Sequence, residues 1–187
     1  MLDVAVAYNR YKYLGNEFLT WLWFMMETRR EEIPFPDAES LELGIGDRVV
    51  LRNSRRNRDE IVTIKGDGAG LEEGLMALKK GAVVTELNLV VKTPETEWRF
   101  GVKGESLNIS SLKPPEKAPA EMPEDLEQRV LGRMEHVERA TGLLHYLYQQ
   151  FVHIRVSPDW EKSTVPDIRR WIEQAVSGHT GPASFAG

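Results

Sequence analysis

Arg52, Arg55, Arg56 and Arg58 form the densest basic run of the chain, with Asn53, Ser54 and Asn57 among them. Guanidinium, amide and hydroxyl groups all donate to phosphate oxygens, so the chemistry on offer is contact with a nucleic-acid backbone. Lys65, Lys79 and Lys80 extend the patch if the fold brings them beside it. No aromatic residue is interleaved, so stacking on single-stranded bases has no platform in this run. On the residues alone, a solvated loop blunted by Asp59 and Glu60 is the simpler reading, because short charge runs are commonly just that.

Other candidates offer less. Gly66-Asp67-Gly68-Ala69-Gly70 precedes a helical pattern but lacks the Gly-Lys-Ser/Thr ending of a phosphate loop and the spacing of a dinucleotide fingerprint. It reads as a turn. The histidines are His136, His145, His153 and His179, and the first three are nine and eight residues apart. None has the i, i+4 partner of a helical metal pair, so they read as packed or solvated side chains. Glu17 and Thr20 are the polar members of an aromatic run. A carboxylate there could be a tuned base, but pairing with a cation such as Arg10 or Lys12 is the plainer expectation. With no second carboxylate or nucleophile at a telling spacing, no enzyme activity, no metal and no cofactor are expected.

The elements that must position these residues are marked by period. Leu14, Phe18, Trp21, Leu22 and Met25 share one helical face, while Leu19, Trp23 and Met26 load the next. A helix apolar nearly all round is buried on several sides. Residues 4–28 therefore read as a central core helix, whole or kinked near Gly15, that ends before Pro34 and Pro36. From Leu41 the period becomes two, with a bulge or turn expected at Gly44 and Gly46. Ile61–Ile64 is a second short strand, and residues 52–59 read as a polar connection between the two. Residues 71–80 form a short helix stopped by Gly81. Strands follow at 82–92, 96–102 and 106–112. Their turns are short enough to imply an antiparallel meander, with Leu107 and Ile109 on one face.

Four prolines make residues 114–123 an extended linker. Beyond it, Leu126, Val130, Met134, Val137, Thr141, Leu144, Tyr148 and Phe151 are spaced 4, 4, 3, 4, 3, 4, 3, close to a heptad seam. Packing within the chain is favoured over a dimer coiled coil, because Thr141 and Tyr148 are poor seam residues and Gly142 weakens the helix. Ser157-Pro158 starts a further helix and Pro166 opens a last one. The expected organisation is an α+β core over 1–113, the linker 114–123, a helical region 124–176 and a disordered tail 177–187.

Composition bounds the function classes. At 187 residues the chain can bury a core without staples. It has no cysteine, which excludes disulfides and thiolate chemistry and fits a reducing compartment. No signal peptide is visible, and the apolar run 14–26 is too short for a membrane span. A cytoplasmic, nucleoid-associated protein is expected. The net charge of −5 argues against a surface coated in positive charge, but binding to nucleic acid depends on a local patch.

Three segments together resemble the C-terminal half of the bacterial recombination-associated RdgC family. Phe18-Leu19-Thr20-Trp21-Leu22 is similar to that family's Leu-Thr-x-Trp segment. Gly81-Ala82-Val83-Val84-Thr85-Glu86-Leu87-Asn88-Leu89 resembles its Gly-x-Val-Val-Thr-x-Leu-x-Leu strand, and residues 107–113 resemble the strand that follows. The Leu147–Phe151 and Ser157–Glu161 segments are similar to the tail of divergent members. The resemblance implies a non-enzymatic protein of ring-like dimers that encircles duplex DNA with little sequence preference and restrains the recombinase RecA. The chain lacks a counterpart of the family's N-terminal half, so a separate N-terminal partner is a further expectation. The expected function is sequence-independent DNA binding, linked to recombination or replication, through Arg52, Arg55, Arg56, Arg58, Lys79 and Lys80. The alternative is an assembly module that uses the aromatic and heptad-like helices and has no nucleic-acid role.

Overall fold

A computed structural model describes residues 4–33, 35, 41–55, 58–66, 71–94, 97–113 and 126–177. The chain begins with helix α1 (Val4–Thr28), then strands β1 (Glu42–Arg55) and β2 (Arg58–Lys65). Helix α2 (Leu71–Lys79) leads into strands β3 (Val83–Lys92), β4 (Glu97–Lys103) and β5 (Asn108–Lys113). Helix α3 (Leu126–Val156), a π-helical turn (Trp160–Thr164) and helix α4 (Val165–Ser177) complete it. The class is α+β, as the change from helical to alternating periodicity predicts.

The five strands form one sheet in the order β2-β1-β3-β4-β5, antiparallel at every pairing. β1 is bulged against β3 between Ile45 and Val49 and between Val50 and Leu51. One face of the sheet presents Leu43, Val49, Leu51, Leu87, Leu89, Val91, Trp98, Phe100 and Val102, all buried. α1 lies across it, chiefly on β3, while α2 covers β1 and β2. α4 packs on α1 and α2 from the other side, with Trp171 edge-on to Trp23 and Phe24 at 5.6 and 5.7 Å. The consecutive burial of Trp21 through Met26 follows: α1 is sandwiched between sheet and helices, so every side of it needs an apolar residue.

The C-terminal half of α3 packs within the chain as expected. Phe151 is fully buried against Phe18, Trp21 and Trp160, at 5.6, 5.7 and 5.6 Å. Toward its N-terminus Val130, Leu131, Met134 and Val137 are about half exposed.

Three expectations need correction. Residues 52–55 and 58–59 are not a loop. They continue β1 and β2, paired Arg52↔Ile61, Asn53↔Glu60, Ser54↔Asp59 and Arg55↔Arg58. Ladder hydrogen bonds do not depend on apolar side chains, and a hairpin that outruns the core can be wet on both faces. Leu107 is not a strand residue. It sits in the β4–β5 turn at φ 53°, and β5 starts at Asn108, two residues later than expected. Ser177 closes α4 instead of opening the tail. The linker 114–123, the rest of the expected tail and most of the glycine-rich turn lie outside the described residues.

Candidate nucleic-acid interface

The long β1–β2 hairpin places the arginines at its distal end. Arg52 is exposed and lies opposite Ile61 on one side and Val83 on the other. Arg55 and Arg58 face each other as the last pair before the turn. Arg56 lies outside the described residues. Lys79 and Lys80 are exposed at the end of α2. The Asn53 amide reaches the Lys80 carbonyl at 3.5 Å, which holds this helix end beside β1. The expected patch is thus brought together in part: the hairpin and the Lys79–Lys80 corner adjoin. Lys65 does not join them, because it pairs with Arg48 at the opposite end of the hairpin.

Alternation along the strands produces a larger feature that the sequence run does not reveal. Side chains that do not point at α1 point to the opposite face, and the described helices all lie on the α1 side. On that open face stand Arg48, Arg52, Lys65, Lys92, Arg99, Lys103 and Lys113, all exposed. Against these seven cations stand Glu42, Asp47, Glu86 and Glu97, and the register Ser54↔Asp59 puts a fifth carboxylate residue, Asp59, on the same side as Arg52. The face is therefore net positive in a chain whose total is −5. Five strands about 4.8 Å apart make the platform roughly 19 Å wide. It carries no aromatic side chain among the described residues.

The carboxylates are tied down. Arg48 pairs with Glu86 at 3.2 Å, and Glu97 is held by Arg99 at 2.7 Å and Lys92 at 3.5 Å. The Asn88 amide donates to Asp47 at 2.8 Å and holds its carboxyl below the ordinary range, with the Lys113 and Arg99 charges adding to the effect. The Arg99 hydrogen bond lowers Glu97 in the same way. At neutral pH these groups are ionised, so the surface is a charged lattice with a cationic excess.

Beside the bulged end of β1 a shallow cavity of about 220 Å³ is lined by Glu27, Arg30, Gly46 and Arg48. Desolvation there pushes the Glu27 carboxyl up, opposed by the Arg30 charge. The residues considered for catalysis are engaged otherwise. Glu17 accepts from Arg155 at 2.7 Å, the expected partners Arg10 and Lys12 having side chains outside the described residues, and Thr20 donates to the Asn16 carbonyl at 2.9 Å. Among the described residues no group of three or more histidines or carboxylates could hold a metal ion, and no helix is long and apolar enough to cross a membrane. His145 contacts Gln149 at 2.9 Å on the surface of α3.

The cations missed in the sequence run are scattered across five strands with apolar neighbours between them. Their common signal is parity: each occupies the alternate register to a core residue. No protein-family model, no curated protein and no solved structure matches this chain.

Proposed function

We propose that this protein binds duplex DNA through its phosphates, without sequence preference, along the open face of the sheet and the adjoining corner of Arg52, Arg55, Arg56, Arg58, Lys79 and Lys80. The observation that carries the reading is the cationic excess on a face that no described helix covers, in an otherwise acidic molecule. Lysine and arginine there replace counterions condensed on the duplex, and their release drives association. The acidic remainder of the surface repels DNA and so orients the encounter. Sequence independence follows from what the described face lacks: no described helix stands on it to enter a major groove, and no described aromatic ring is there to stack on a base. The resemblance to the RdgC family supports a link to recombination or replication. Under this reading the protein acts by occupying DNA, not by transforming it.

The test is binding of labelled duplex by fluorescence anisotropy, with Lys103→Glu/Lys113→Glu set against Lys162→Glu on the exposed π-helical turn. The open-face variant is expected to lose at least about ten-fold in affinity, since each lost phosphate contact weakens binding on all sequences alike. Equal loss in the two variants would contradict the open face as the binding surface.

A further inference from the structure

The N-terminal half of α3 extends past the core with an apolar stripe that nothing described in the chain covers. Val130, Met134 and Val137 are 49, 54 and 51% exposed, and Leu131 beside them is 58% exposed. At 100° per residue the first three fall within about 60° of arc. The residues that α3 buries in its own core, Ala140, Leu143, Leu144, Leu147 and Phe151, centre about a quarter-turn away. A helix docked on the stripe would therefore not compete with the core.

We infer that the occupant is the same stripe of a second copy, in a parallel, in-register helix pair. The argument is charge complementarity. With Val130 and Val137 at d and Met134 at a, Arg133 falls at g and Glu138 at e. In a parallel pair, g of one helix meets e of the next heptad on its partner, five residues on. Arg133 then faces Glu138 of the other copy, twice by symmetry. Leu131, off the stripe, takes the e position one heptad earlier. An antiparallel pair sets g against g and e against e. Arg133 would then meet arginine or an apolar residue, and Glu138 would meet leucine.

The two-fold axis would run along the paired helices. A quarter-turn between seam and core puts the two bodies on opposite sides of the pair, clear of each other. Four half-exposed side chains per copy supply less area than a standard interface of about 800 Å² per partner, so the association is weak and concentration-dependent. It rests on α3 alone and stands apart from the proposed DNA surface.

The chain has no cysteine, so one introduced thiol reports the geometry without background. Met134→Cys is expected to form a disulfide-linked dimer under mild oxidation, while Gln128→Cys, exposed and about 150° round the helix from the stripe, is not. Sedimentation equilibrium of the full chain adds a second reading. Arg133→Glu alone should weaken self-association several-fold, and Arg133→Glu/Glu138→Arg should restore it. A monomer from micromolar to millimolar concentration would overturn the inference. So would equal cross-linking at both thiols, or a double variant as weak as the single one.

Discussion

At the residue scale the tightest constraint is the approach of Gly15 to Gly104. A Cβ on Gly15 would lie 1.7 Å from the Gly104 carbonyl oxygen, which is backbone and cannot swing aside. α1 therefore touches the β4–β5 turn with no room for a methyl group, and of the two readings, whole or kinked at this glycine, the whole helix is the one observed. Gly15→Ala should cost about 3 kcal/mol or more by urea denaturation, a value beyond ordinary overpacking because α1 must shift as a body. The Glu17–Arg155 pair makes the opposite case. Its side chains are 42 and 33% exposed, so it contributes only about 1 kcal/mol or less. Glu27 carries a sign that can be checked. Its folded pKa is raised above 4.5, so its contribution to stability is present at low pH and lost as pH rises through the folded value. Glu27→Gln should melt above the wild type at neutral pH, and the gap should close below the ordinary carboxylate range.

At the element scale the two halves of α3 read alike in sequence and differ in structure. Apolar spacing of three and four runs through both, yet among the described residues the buried apolar side chains of α3 begin at Ala140. Periodicity reports which face is apolar, not whether a partner lies opposite. Thermal melts of dilute protein should separate the halves. Phe151→Ala is expected to cost about 3–5 kcal/mol, because it empties a site ringed by four aromatic side chains. Val137→Ala should stay within about 0.5 kcal/mol. The hairpin misled in the reverse direction. Its polar residues 52–59 looked like a loop because strand patterns are recognised by alternating apolar residues, and none of these residues is apolar. The turn of β5 was misplaced for a similar local reason, since Leu107 looks like a strand residue and is held in a left-handed turn instead.

At the scale of the whole molecule, the helix-over-sheet arrangement was legible because α1 announces burial on every side and the strands alternate cleanly. The candidate site was legible only at its corner. Arg52, Lys79 and Lys80 stand close in sequence or across one turn, whereas Arg48, Lys92, Arg99, Lys103 and Lys113 become neighbours only once strand order and register are known. Strand order depends on which edges pair, and that is decided by tertiary packing. The same limit hid the sorting of charge: a net −5 averages a cationic face with an acidic remainder. Function is carried by that sorting, because a duplex meets one face at a time.

The measurement that reaches the central claim most directly is the salt dependence of binding to two duplexes of unrelated sequence. Neutralising about four phosphates gives a slope of log affinity against log salt near −4, the same for both sequences. Lys103→Glu/Lys113→Glu should flatten it by about two, one for each phosphate contact removed. Binding that ignores salt, or that follows one sequence and not the other, would contradict phosphate recognition on the open face of the sheet.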